Sequence, residues 1–207
     1  MATTTTPTRG ARSATPTTDV QVLPATIDRW PDVVTMLGGD LDKGCWCQAW
    51  RGRDEVAKAA GESRPETLRR QVQEAAPPPG YLAYIGNDVV GWCGVSVRGR
   101  TPRLDGSRTI PSLDDKPVWA IGCFLIRVGY RRRGVATALL AGVVNAAREA
   151  GAPGVEAYPI DPLGRRANAN FAFVGLASMF DRAGFRRVLE TNAHSDHLPR
   201  LLVRLDL

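Results

Sequence analysis

The stretch "CFLIRVGYRRRGVATALL", Cys123 to Leu140, changes character twice within eighteen residues. It starts as the end of a nearly continuous apolar run, "VWAIGCFLI" (Val118 to Ile126), of the kind that forms a strand covered on both faces. It passes through Gly129 and three consecutive arginines, Arg131 to Arg133, to Gly134. From Val135 it turns apolar at helical spacing, with Val135, Leu139, Leu140, Val143, Val144 and Ala147 on one stripe and Gly151 as the stop. Cations are unfavourable at the start of a helix, where unpaired N–H groups and the macrodipole already produce a positive potential. An arriving anion would cancel both. A strand, a loop and a helix N-terminus form such an anion site from backbone amides, and the arginines add charge-assisted hydrogen bonds. Gly134 would let the backbone approach a phosphate, and the small Ala136 would leave that approach open. A solvated basic patch is the plainer reading of the same residues.

Outward from this stretch, the chain alternates short elements. "DVQVLPAT" (Asp19 to Thr26) reads as a strand, and "DRWPDVVTMLGG" (Asp28 to Gly39) as a short helix closed by glycine. "DLDKGCWCQAWRGR" (Asp40 to Arg53) has no clear period. Ser63 to Ala75 reads as a helix, with Ser63 and Glu66 at capping-box spacing. Tyr81 to Val97 reads as two strands joined at Gly86-Asn87-Asp88. Arg98 to Pro117 is a long polar stretch of loop character. Downstream lie a strand in "GVEAYPI" (Gly154 to Ile160), a helix in "VGLASMFDRAG" (Val174 to Gly184), and strands in "FRRVLET" and "RLLVRLDL". The order β-α-α-β-β-β-α-β-α-β-β indicates an α/β (α+β) domain with a mixed sheet over residues 19–207. Residues 1–18, rich in Thr, Pro and Ala, bury too little apolar surface to repay ordering and read as a disordered tail.

The bulk properties narrow the functional classes. The chain has 207 residues, a net charge of +6 and a sequence pI of about 9.5. Lysine occurs only at Lys43, Lys58 and Lys116, so the positive charge is carried almost wholly by arginine. That balance suits a polyanionic ligand, either phosphate or nucleic acid. A nucleic-acid binder would need aromatics interleaved with arginine on one face. The arginines cluster at the loop instead, so no nucleic-acid partner is expected. No apolar run is long enough to span a membrane, and the first twenty residues have no signal-peptide core. A cytoplasmic protein with reduced thiols is expected.

The four cysteines, Cys45, Cys47, Cys93 and Cys123, form no C-x-x-C pair. C-x-C with His194 and His197 in H-x-x-H is too tight for the usual zinc spacing, so no metal is expected. The Ser-x-Asp-His run there has no nucleophile elbow. Neither a Walker A pattern nor G-x-G-x-x-G is present.

The segment Trp119 to Phe185 resembles the GNAT superfamily of acyl-CoA-dependent N-acetyltransferases. Its [QR]-x-x-G-x-[GA] pattern is met by Arg131, Gly134 and Ala136, and its aromatic-x-x-x-Gly-Phe pattern by Phe180, Gly184 and Phe185. The resemblance implies a mostly antiparallel sheet that splays at the coenzyme-binding strand. It further implies acetyl-CoA as co-substrate and direct attack by a primary amine of a small molecule or peptide. Phe124, Leu125 and Ile126 would pair with the pantetheine arm, and Arg131, Arg132, Arg133, Gly134, Val135, Ala136 and Thr137 would hold the phosphates. Trp46, Cys47, Trp119 and Tyr158 would line the acceptor pocket, and Glu156, a mid-strand carboxylate, would be the general base. Phe180 stands where the family often has a tyrosine acid, and Phe173 where it often has an asparagine. A non-catalytic acyl-CoA sensor therefore stays open as an alternative, as does a homodimer.

Overall fold

In the computed structural model, residues 19–39, 44–52, 54–165, 167–168 and 171–207 are described. The expected tail, 1–18, lies outside them. β1 (Gln21–Pro24) leads to α1 (Trp30–Leu37), which has Pro31 in its first turn and ends where the Gly38 N–H returns to the Val34 carbonyl. α2 (Gln48–Arg51) and α3 (Glu55–Ala59) follow, and Asp54 caps α3 by accepting from the Ala57 N–H. α4 (Arg64–Glu74) carries the full capping box, Ser63 with Glu66. β2 (Gly80–Ile85) and β3 (Asp88–Val97) form the expected hairpin, with Gly86 at φ +58°. α5 (Pro102–Asp105) precedes β4 (Trp119–Ile126), α6 (Val135–Glu149) and β5 (Gly154–Ala157). α7 (Ala177–Arg182), β6 (Arg186–Ser195) and β7 (Leu198–Asp206) complete the chain.

The strands make one seven-stranded sheet in the order β1-β2-β3-β4-β5-β7-β6. Every pairing is antiparallel except β4 with β5, which is parallel and joined by the α6 crossover. α6 buries the expected stripe on one face of the sheet, against Val90, Ile121 and Phe124. Gly142 lets it settle close to β1, since a Cβ there would lie 2.6 Å from Val22 Cγ1. On the opposite face, α1 and α4 bury Val33, Met36, Leu68 and Val72 with Trp46 and Trp92. Leu104, Ile110, Ala120, Tyr158 and Leu202 form a separate small core.

Four expectations change in detail. The stretch without period contains α2, and the polar stretch 98–117 contains α5 and buries Leu104 and Ile110. Helices of four residues hold too few apolar positions to show a period. The helix read as Val174–Gly184 shrinks to α7, because Gly175 at φ +84° packs against the Phe180 ring. The last two strands are longer than expected. They meet at Asp196 and His197, both at positive φ, as a two-residue hairpin turn requires.

Leu139 is fully buried at the centre of the α6 stripe. Leu139→Ala is expected to lower unfolding stability by about 2–5 kcal/mol, read as a lower urea midpoint with unchanged m-value.

Candidate active site

β4 and β5 pair over three rungs only: Trp119 with Val155, Ala120 with Glu156 and Ile121 with Ala157. Pro159 follows two residues after β5 and has no N–H to continue a ladder. β4 itself runs on to Ile126, held on its other side by β3. Its edge from Gly122 onward therefore faces no strand. The gap is a cleft of about 860 Å³. Phe124, Leu125 and Ile126 line it from β4, and Gly175, Leu176, Ser178 and Met179 from the opposite wall.

The arginine loop closes one end of this cleft. Arg132 (φ +64°) and Gly134 (φ +81°) both adopt left-handed backbone, which turns the chain sharply into α6. The amides of Val135, Ala136 and Thr137 have no carbonyl one turn back within the helix, and these residues line the cleft end. A Cβ on Gly134 would meet nothing within 4 Å, so the glycine is required by its φ and leaves open space. Arg131 and Arg132 line the cleft as expected. Arg165 and Arg182 join them from the other wall and were not anticipated from the sequence. None of these four guanidiniums forms a salt bridge among the described residues, and the neighbouring Asp161 and Asp181 bind Arg187. Arg133 corrects the expectation. It does not line the cleft but lies over the Tyr130 ring at 5.4 Å, with Arg127 at 5.6 Å. The Tyr130 hydroxyl donates to Asp88 at 2.8 Å.

Beneath the cleft, Phe180 is fully buried. Its ring meets Phe124 edge-on at 6.2 Å and Phe185 at 5.2 Å. It supports the β4 wall and offers no proton. Phe173 is exposed on the cleft wall. Ser178 and Thr137 supply the hydroxyls that line the cleft without a described partner.

Glu156 is placed differently from expectation. It is 1% exposed and is not among the residues lining the cleft. The Arg204 guanidinium lies 3.4 Å from one carboxylate oxygen, and Arg98 lies 3.8 Å from the other. The Tyr158 hydroxyl accepts from Arg98 at 2.6 Å and donates to Glu156 at 3.1 Å. Arg204 also binds Asp114 at 2.8 Å and Asp206 at 2.9 Å. Burial pushes the Glu156 carboxyl up, and the arginines oppose that shift. A general base needs a free oxygen within hydrogen-bond reach of the substrate proton. Both oxygens here are held by the protein's own cations, so Glu156 is read as a structural charge hub.

The residues expected to share an acceptor pocket are dispersed. Trp46 is buried and stacks on Trp30 at 6.1 Å. Trp119 packs against Tyr81 at 6.4 Å in the α6-side core. Tyr158 belongs to the small core beside Glu156. Cys47 is half-buried, with its sulfur 3.3 Å from that of Cys123. The reason is strand alternation together with helix entry angles, which send these side chains to different faces of the sheet.

Removing Glu156 would leave Arg98 and Arg204 buried with a missing counter-charge. Glu156→Ala is expected to cost about 3–5 kcal/mol, measured as a fall in chemical-denaturation stability.

The comparisons with known proteins agree with this geometry. The family model for the acetyltransferase (GNAT) family matches residues 47–172. A search of curated protein sequences returned no match. Among solved structures, an N-acetyltransferase from Staphylococcus aureus Mu50 is 10% identical over 91% of this chain and 98% of its own, with a TM-score of 0.53. A polyamine N-acetyltransferase from Drosophila melanogaster, which forms N-acetylagmatine, is 12% identical over 91% and 100%, with a TM-score of 0.53. Arabidopsis thaliana NAA60, solved with acetyl-CoA, is 16% identical over 91% and 100%, with a TM-score of 0.50. No described helix is long and apolar enough to cross a membrane. The split between β4 and β5, the loop that leads into α6 and a family match over more than half of the chain agree: the protein belongs to the GNAT family of acetyltransferases.

Proposed function

We propose that this protein transfers an acetyl group from acetyl-CoA to a primary amine of a small molecule or peptide, in the cytoplasm. The observation that carries the reading is the coincidence, in one cleft, of a β4 edge without a described partner strand, the first-turn amides of α6 and four guanidiniums that form no salt bridge among the described residues. The coenzyme's pantetheine arm, an amide-bearing chain, suits the strand edge. Its phosphates suit the helix N-terminus and Arg131, Arg132, Arg165 and Arg182. The acceptor nitrogen attacks the thioester carbonyl, the carbon–sulfur bond breaks, and the thiolate leaves as the amine loses its proton. A β4 amide facing the carbonyl oxygen would stabilise the charge that develops there.

With Glu156 engaged and Phe180 inert, amine deprotonation falls to solvent. The coenzyme thiol has a pKa near that of cysteine, about 8.5, and leaves without a dedicated acid. The value of kcat/KM is expected to rise about tenfold per pH unit toward the acceptor's own ionisation near 10, without a falling limb from a protein acid. A pH series from 6 to 9 checks this. The alternative of a non-catalytic acyl-CoA sensor draws on the same Phe180. Release of free thiol from acetyl-CoA across an amine panel decides between them. Turnover with any amine supports the enzyme, and coenzyme binding with no turnover supports the sensor. In either case Gly134→Val would force an unfavourable φ and fill the open approach. It is expected to raise the acetyl-CoA dissociation constant by about tenfold or more, measured by calorimetry.

A further inference from the structure

On the face of β4 opposite α6, a cluster of thiols takes no part in the coenzyme cleft. Trp46 and Cys47 both adopt left-handed backbone, φ +47° and +56°. Two such non-glycine residues in succession are costly and persist only where the surroundings fix them. Their effect is to aim the Cys47 side chain down at the sheet. There Gly94, the β3 partner of Cys123, leaves a notch. A Cβ at 94 would overlap the Cys47 sulfur and lie 3.1 Å from that of Cys123. The notch seats the two sulfurs 3.3 Å apart, about 1.3 Å beyond a disulfide bond length.

The surroundings favour an anionic sulfur at Cys47. The Arg51 guanidinium holds the Cys47 carbonyl at 3.2 Å and the carbonyls of Pro79 and Val95, and has no carboxylate partner among the described residues. The Trp92 indole N–H is buried, has no oxygen or nitrogen acceptor among the described residues, and lies on the rim of the same notch. A buried donor without a partner is costly, and a thiolate would satisfy it. The Cys123 thiol, Arg51 and the Trp92 N–H together hold the Cys47 thiol below its ordinary range, while its hydrogen bond to Cys47 and burial push Cys123 up. One thiol is thus prepared as the nucleophile and its neighbour remains protonated. Cys93 is fully buried and its thiol is also pushed up by burial, which leaves it inert. Cys47 and Cys123 are intermediate in exposure as residues, whereas Cys93 is buried.

We propose that Cys47 and Cys123 form a hydroperoxide-reactive dithiol that closes reversibly into a disulfide. The Cys47 sulfur attacks the distal peroxide oxygen and the O–O bond breaks. The other oxygen leaves as water or an alcohol after taking a proton, and Cys47 becomes a sulfenic acid. The Cys123 sulfur then attacks the Cys47 sulfur, the S–S bond forms, and the hydroxyl leaves as water with the Cys123 proton. Two electrons pass from the thiols to the peroxide. The new bond ties the segment before α2 to β4, one residue before Phe124 of the cleft wall.

The experiment uses the reduced full-length chain, treated with stoichiometric hydrogen peroxide, quenched with N-ethylmaleimide in denaturant so that buried thiols are also alkylated, and mapped by mass spectrometry. The expected product is a Cys47–Cys123 cross-linked peptide that a dithiol reductant reverses, with Cys45 and Cys93 still alkylated. Cys47 should react about tenfold faster than the exposed Cys45. Cys123→Ser should stop the cross-link and leave a Cys47 sulfenic acid that dimedone traps, and Cys45→Ser should change nothing. Equal oxidation of Cys45 and Cys47, or a cross-link through Cys45 or Cys93, would overturn the proposal. None of these readouts depends on acetyl transfer, so they stand or fall apart from the enzymatic reading.

Discussion

The rest of the structure depends on a ladder that stops early. β4 and β5 share three parallel rungs, and then Pro159 ends the pairing while β4 continues to Ile126. A parallel pair needs a crossover, and here the crossover is α6, which must begin just past the end of β4. The open edge of β4 and the N-terminus of α6 are therefore brought together by connectivity alone. Ligands in sheets with parallel strands gather where the strands diverge at their carboxyl ends. The parallel pair makes such a place in a sheet that is otherwise antiparallel.

Two arginine groups in the protein show opposite electrostatic economies. Arg98 and Arg204 are almost wholly buried, and each is met by oxygen atoms from Glu156, Tyr158 or Asp114. Buried charges persist only when so compensated. Arg131, Arg132, Arg165 and Arg182 are exposed around one cleft and form no salt bridge among the described residues. Solvent makes their repulsion bearable, and an anion makes it favourable. The first group holds β5 and β7 together, and the second is kept open for a ligand.

How far each feature could be read from the sequence depended on how local its cause was. The α6 stripe, the Ser63–Glu66 box and the turn at Gly86 are set by residues a few positions apart, and all three appear in the structure. The arginine loop was legible for the same reason, since strand, turn and helix start are contiguous there. The setting of Glu156 was not, because its partners Arg98 and Arg204 come from distant parts of the chain. A mid-strand carboxylate looks the same whether it faces a substrate or two arginines. Arg165 and Arg182 escaped notice because only the fold carries their wall of the cleft to the arginine loop. Trp46 lies in the stretch without a period, and Trp119 lies in a strand apolar on both faces, so the sequence does not say which face either takes.

β4 is packed on more than one side. Its edge faces the cleft, and its face opposite α6 takes α2, with Trp50 lying against Gly122 and Cys47 against Cys123. Glycine at 94 and 122 lets α2 approach this closely, because a Cβ at 122 would lie 3.2 Å from the Trp50 ring. The buried Arg200 guanidinium lies over the Trp50 ring at 5.2 Å. Interiors packed this tightly transmit small displacements. The proposed oxidation of Cys47 would therefore act on Gly122 and Cys123, the residues that lead into Phe124 of the cleft wall, so that the sulfur pair and the cleft edge share one strand.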